Sequence, residues 1–472
     1  MGYGRTFSSN FGNTTLNFNS NPASIYYIDR PIDFYVDYAS ICHPNTGRLL
    51  FYTNGISIRD STNQIMQNGD SLNCCNTLWS DFKNDGYPVL QGAYILPMPN
   101  SPNIYYLFHT FSLYFPSNPT TICIPELRYS IIDMNGNNGR GRVLQKNTPI
   151  IPYSLNGSSF AVTKHGNGRD WWLVTQSFDL SKLYTLLFTP DGIQGPFTQT
   201  VHSVVGNAFC GGGTSAFTPN GEKYTLYDSK IGTQIYDFDR CTGVFSNQYI
   251  LPVEDTTNQW AGNLVTSPNS EYVYLVHPLQ IKQINLSSYS VDTVANYDGF
   301  YWLSITTRFY TTFAFPALAP DGKIYIPCWG ANRYLHTIEN PDAAGAACNV
   351  QQHSILLPTI NNGTINIAPN YRLGAKVGSG CDTITVSSEQ VAVGRQALRL
   401  FPNPASHHTR LVWDEPLKNN ANIHIINSIG QVVKEIAVQK GFTYQEIDMK
   451  DTPNGLYFVS LLGKTIKLLK IE

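Results

Sequence analysis

Ten histidines, nine cysteines and seven tryptophans are the residues of this 472-residue chain best suited to chemistry. Their spacing matches no HExxH zinc helix, no GxSxG nucleophile elbow and no Walker-type phosphate loop. His109 and His165 follow strand-like segments and could reach a central channel, although a hydrogen-bonded structural role is the default for each. Trp260, Trp302 and Trp329 offer flat apolar faces on which sugars stack, against a default of core packing. Asp237 and Asp239 could hold calcium, but the alternation Tyr-Asp-Phe-Asp-Arg reads more simply as a solvated strand face with Arg240 as charge partner. Gly211-Gly212-Gly213 leads into a strand and not a helix, so it reads as close strand packing and not as a phosphate cradle. The cysteines lack CxxC spacing; Cys328 with Cys348 and Cys210 with Cys241 are plausible loop-closing pairs, an odd count leaves at least one thiol free or paired outside the chain, and the adjacent Cys74 and Cys75 cannot both bond a single third cysteine. No catalytic set, metal site or cofactor is expected, calcium at Asp237 and Asp239 being the one possibility raised.

The elements that must position these residues are strands. Charged residues make up 14% of the chain, against about 25% in an average globular protein. Gly, Pro, Asn, Ser, Thr and Tyr fill the difference, which favours short strands and tight turns and predicts an all-β fold. A formal net charge of -2 gives no attraction to nucleic acid. The chain has no run of eighteen apolar residues, so no membrane span is expected. Its first residues, Met1 to Phe7, lack the pattern of a secretory signal.

A turn signal recurs at Pro44-Asn45-Thr46-Gly47, Pro99-Asn100-Ser101, His165-Gly166-Asn167-Gly168, Pro219-Asn220-Gly221, Pro268-Asn269-Ser270 and Pro320-Asp321-Gly322, with copies starting 49 to 66 residues apart. Pro presets the first turn angle and Gly supplies positive φ, so each copy is a turn with a mechanism. An apolar or aromatic strand follows each, for example Trp171-Trp172-Leu173-Val174 and Tyr272-Val273-Tyr274-Leu275-Val276. Four short strands per unit at such a period predict a β-propeller over residues 1–384. Six copies are visible, and the leftover ends, about 7–39 and 341–384, would complete a seventh blade, with six or eight blades as alternatives.

Residues 385–397 read as a polar linker with a protease site, and 398–472 as a second unit of seven short alternating strands, a small immunoglobulin-like sandwich. Pro402 and Pro404 flank Asn403 and stop the first strand. Gly430 serves one hairpin, and Pro453 with Gly455 forms the turn into the strand that carries Tyr457. In order, Leu400-Phe401-Pro402-Asn403-Pro404, Ile426-Asn427-Ser428-Ile429-Gly430 and Thr452-Pro453-Asn454-Gly455-Leu456-Tyr457 resemble the C-terminal sorting domain of the type IX secretion system of Bacteroidetes. Phe11-Gly12-Asn13, Gly47 to Gly55, Tyr236 to Gly243, and Pro369-Asn370-Tyr371-Arg372-Leu373-Gly374 with Cys381-Asp382-Thr383 resemble a family of secreted Bacteroidetes propellers that end in this domain.

The resemblance implies several partners: the type IX translocon, a sortase-like peptidase that cuts in the linker, and anionic lipopolysaccharide as an attachment point. It also implies a secreted or outer-membrane surface location and a signal peptide, which this sequence lacks. Asp60-Ser61-Thr62, Asp70-Ser71-Leu72, Asp255-Thr256-Thr257, Asp292-Thr293-Val294 and Asp382-Thr383-Ile384 resemble Bacteroidetes O-glycosylation acceptors. For the propeller the expectation is binding of an extracellular glycan, protein or surface. The alternative is a hydrolase or lyase that acts on an extracellular polymer at the central channel.

Overall fold

A computed structural model describes the chain except residues 1–11, 117, 158, 202–212, 254–261, 305–306, 363–364, 366, 383–397, 414, 428–429, 463 and 472. The chain divides into two compact units, Met1–Thr385 and Val386–Glu472.

The first unit is a β-propeller. Six antiparallel sheets follow one another in sequence, each with its strands in simple up-and-down order. The first sheet has three strands, Ala39–Cys42, Leu49–Thr53 and Ile58–Asp60. The other five have four strands each and begin with the inner strands Ala93–Pro97, Ala161–Lys164, Ser215–Phe217, Asn263–Thr266 and Ala317–Leu318. Every copy of the repeated turn joins the first strand of a sheet to its second. Gly47, Gly168, Gly221 and Gly322 supply left-handed backbone there, and Asn100 and Ser270 adopt it in the two copies that lack glycine.

The strands after these turns are apolar on both sides because each sheet is sandwiched between neighbours. Trp171 joins a core shared with Tyr94, Leu96 and Phe108 of the second sheet, while Trp172 points the other way into a core with Tyr224, Leu226 and Tyr236 of the fourth. The same alternation sends Val273 and Leu275 towards the fourth sheet and Tyr274 and Val276 towards the sixth. Burying each such side chain stabilises the unit by roughly 1.5–3 kcal/mol.

A hairpin of Thr14–Asn17 and Ser24–Tyr27 makes its own two-stranded sheet. It bonds the end of the sixth sheet, where Gly12 N donates to the Ile360 carbonyl (2.7 Å) and Asn361 Nδ2 donates to Thr14 Oγ1 (2.8 Å). Leu16, Phe18 and Ile25, together with Ile365, pack on Tyr325, Leu335 and Leu357 of that sheet.

The second unit pairs a three-stranded sheet (Arg399–Phe401, His408–Val412, Tyr444–Asp448) with a four-stranded one (Ala421–Asn427, Val432–Val438, Gly455–Leu461, Lys464–Lys470) around Leu411, Trp413, Ile423, Ile425, Ile447, Val459 and Leu468. Its turn residues act through hydrogen bonds. Asn403 Nδ2 donates to the Lys467 carbonyl (2.7 Å) and its Oδ1 accepts from Leu469 N (3.0 Å), so one side chain clasps the last strand. Tyr457 is buried and its hydroxyl ties back to the Pro453 carbonyl at 2.8 Å. Gly430, at φ +84°, closes the hairpin in which its N–H reaches the Asn427 carbonyl.

Candidate functional site

Antiparallel order places the first-to-second and third-to-fourth strand turns at one end of the propeller, the turn face. The second-to-third turns and the sheet-to-sheet connections lie at the other end, the insertion face. Part of the turn face, at the third and fourth sheets, is covered by the chain itself. Asn370 Nδ2 donates to the Pro219 carbonyl (2.9 Å), and Arg240 Nη2 to the Gly374 carbonyl (2.6 Å). Lys376 N donates to the Gly166 carbonyl (2.7 Å), Lys376 Nζ pairs with Glu222 (3.0 Å), and Cys381 is disulfide-bonded to Cys241. Residues 370–381 thus form a strap across the turns of the third and fourth sheets.

Tyr371 anchors the strap. Its hydroxyl donates to the carbonyl of Ile95, in the middle of the second sheet's inner strand (2.7 Å), and its ring meets Trp171 edge-on at 5.7 Å. It packs on the cores on both sides of that sheet, and burial pushes its phenol well above the usual range. Upstream, Ile365 and Ile367 line a small cavity with Val36, Asp37, Gln91 and Phe315, at the insertion-face end of the inner strands. That cavity measures about 20 Å³, which suits one water molecule, whereas small-molecule sites run to roughly 300–1,000 Å³.

Among the described residues, Asp37 is the one carboxylate of that lining. It is 2% exposed, and burial pushes its pKa up to about 8 despite hydrogen bonds from the Gly92 and Ala93 backbone. Glycoside hydrolysis needs a second facing carboxylate, and among the described residues this lining has Asp37 alone.

Two pairs elsewhere have catalytic residue types. Cys328 Sγ lies 3.3 Å from His336 Nε2, but both are buried. Burial raises the thiol far above its ordinary value and lowers the imidazole to about 3, so neither the thiolate nor the imidazolium of a nucleophilic dyad forms at neutral pH. His353 Nε2 meets Asp298 Oδ2 at 2.9 Å on the sixth sheet's outer strand, with the imidazole stacked on Phe300 at 4.1 Å.

The expected site residues separate. His109 is fully buried, bonded to Asn73 Oδ1 (2.8 Å) and Ser130 Oγ (3.0 Å), and burial lowers its pKa to about 3. His165 closes its turn by accepting from Asn167 N (3.0 Å) and meeting the Cys241 carbonyl (3.0 Å). Trp260 lies outside the described residues. Asp237 is held by Lys223 (2.5 Å) and Asn247 (2.8 Å) and Asp239 caps its own turn, while Arg240 turns inward to the carbonyls of Lys164, His165 and Asn220, so it is not their charge partner. Among the described residues no three His, Cys, Asp or Glu side chains gather as a metal site.

The expected disulfides also change. Cys241 pairs with Cys381, 140 residues on, and not with Cys210, which lies outside the described residues. Cys328 and Cys348 are free buried thiols, and Cys74 bonds Cys75.

Trp302 and Trp329 both lie on the insertion face. Trp302 belongs to a hairpin, Tyr301–Ser304 with Thr307–Tyr310, inserted between the fifth and sixth sheets. Beyond it, the Tyr310 carbonyl accepts from Asn332 Nδ2 (3.0 Å) and the Thr312 carbonyl from Trp329 N (2.8 Å). Tyr301 and Tyr310 are exposed on this hairpin; their signal in the sequence is an aromatic run, Phe300 to Phe315, outside the repeat's register.

Residues 399–470 match the family described as Secretion system C-terminal sorting domain. The second unit is therefore a type IX sorting tail, and the chain is an exported protein, secreted or held at the outer-membrane surface. Among the described residues no helix is long and apolar enough to cross a membrane. No curated protein matches the chain. Solved structures similar to it include an auxiliary nutrient binding protein from Bacteroides thetaiotaomicron (10% identity, 69% of this chain and 72% of that one, TM-score 0.36). A functionally unknown protein from Desulfotomaculum acetoxidans (12%, 76% and 100%, 0.36) and the Dos1 propeller (12%, 62% and 60%, 0.33) are others. No activity passes from them to this chain at such identities.

Proposed function

We propose that the chain is an exported recognition protein whose propeller binds an extracellular ligand on its insertion face. The observation that carries this reading is that Ile365 and Ile367 border the inner ends of the strands and residues 370–381 then strap the turns of the third and fourth sheets. A polymer-cleaving enzyme at the channel would need that space and a second acid. Insertions, by contrast, fall where a repeat scaffold usually binds: the helix Thr77–Phe82, the long second-sheet strands Ile104–Phe115 and Asn118–Asp133, and the paired strands Tyr301–Ser304 and Thr307–Tyr310.

The hairpin 14–27 with Ile365 and Ile367 would occupy a seventh blade position between the sixth and first sheets, since they pack on one and border the other. For the tail, a sortase-like peptidase acting between residues 385 and 397, followed by release or attachment to anionic lipopolysaccharide, is supported by the sorting-domain match at 399–470. Deleting Leu398–Glu472 should leave the propeller in the periplasm, and normal surface delivery of the truncated chain would refute that route.

Binding and turnover separate in one experiment. The full chain is applied to immobilised extracellular polysaccharides and the same polymers are assayed for new chain ends. Retention without new ends is expected; new ends would make the protein a hydrolase or lyase.

A further inference from the structure

We infer that the hairpin Tyr301–Ser304 and Thr307–Tyr310, with Trp329 beside it, is a carbohydrate-binding ridge that takes successive sugar rings of an extended polysaccharide. This rests on the reading of the insertion face as the ligand face. Register puts Tyr301 opposite Tyr310 and Leu303 opposite Arg308 on one side, and Trp302 opposite Phe309 on the other. Trp302 and Phe309 are half-buried and stacked at 4.6 Å, which stiffens the hairpin from behind. All four residues of the outer side are exposed, Leu303 at 60% and Tyr310 at 51%.

Tyr301 and Tyr310 rings sit 5.7 Å apart, tilted by 55°, and the Arg308 guanidinium lies 4.8 Å over Tyr301. Trp329, 49% exposed, is tied near the hairpin's base by its N–H to the Thr312 carbonyl (2.8 Å) and braced by Phe315 at 5.4 Å. Ring faces flanked by phenol and guanidinium donors suit a pyranose, which presents an apolar C–H face and a polar rim. Arg308 adds a partner for a sugar carboxylate.

Size decides against a protein occupant. Four residues per strand and two strands give a ridge of about 13 by 10 Å, whereas a stable protein partner needs about 800 Å² on each side. The ridge length matches about two or three sugar rings.

The test is affinity electrophoresis of the full chain through gels that hold a neutral β-glucan, xylan or alginate, with variants whose thermal melts match the parent. Retardation by at least one polymer is expected. Its dissociation constant should rise at least ~10-fold in Y301A/Y310A and in W329A, and stay near the parent in Y310F. R308A should weaken alginate binding more than glucan binding. The parent unretarded in every gel, or retarded equally with Y301A/Y310A and W329A, would overturn the inference. Retardation lost only through substitutions elsewhere on the insertion face would also overturn it while leaving the recognition reading intact; polymer cleavage would overturn that reading instead.

Discussion

At the turn face, six short turns of nearly uniform chemistry recur, and those of the third and fourth sheets meet a strap that is hydrogen-bonded, ion-paired and disulfide-linked to them. At the insertion face the connections differ in length, one carries a helix and one carries a hairpin with exposed tyrosines. The same strands supply both ends. Where the repeat is kept, the polar backbone is satisfied by the chain itself; where it is broken, aromatic surface is left open to solvent. Function belongs with the departures from the repeat, and stability with the repeat and its strap.

Perturbing the strap should have the largest effect on stability. The Cys241–Cys381 disulfide closes a loop across 140 residues, so C381S should lower unfolding free energy by about 2–5 kcal/mol in urea titration, with ligand binding unchanged. Tyr371→Ala should cost about 3 kcal/mol, since it removes a ring from two cores and orphans the Ile95 carbonyl. A Tyr371→Ala melt like the parent's would show that the turn face is not sealed as described.

Titration of buried groups comes next. His109 and His336 have pKa values lowered to about 3 from 6.5, so below pH 6.5 the unfolded chain takes up protons that the fold refuses. Stability should therefore fall between about pH 6.5 and 3, and H109Q should flatten part of that slope. Asp37 has the opposite sign: its pKa is raised from 3.8 to about 8, so its contribution declines as pH rises through that window. D37N should gain relative to the parent at pH 8, measured by differential scanning calorimetry at both ends of the range. The smallest stability effect belongs to the hairpin, where Tyr310→Ala should stay within about 0.5 kcal/mol of the parent. That contrast with Tyr371→Ala, two tyrosines on opposite faces, sharpens the comparison most.

Much of the turn face was legible in sequence because its chemistry is local. Pro219-Asn220-Gly221 announces a turn, and Tyr224 to Tyr227 announces the strand that follows it. The sorting tail was legible for the same reason, with Gly430 and Pro453 marking its hairpins. The strap was not, because Asn370, Tyr371 and Cys381 find their partners through the ring and not through neighbours in the chain. The Cys241–Cys381 bond has no local signal at all. The candidate site was half legible: Trp302 and Trp329 stood out by residue type, but only register shows that Trp302 backs the hairpin while Tyr301 and Tyr310 face outward.

Hydrogen exchange of the full chain, with and without a polysaccharide that it retains, tests the central claim most directly. Slowed exchange at residues 300–311 and 328–332, with 165–168, 219–222 and 367–381 unchanged, is the predicted result. Protection in the strap or the turns beneath it, with the hairpin unaffected, would contradict the assignment of the insertion face as the ligand face.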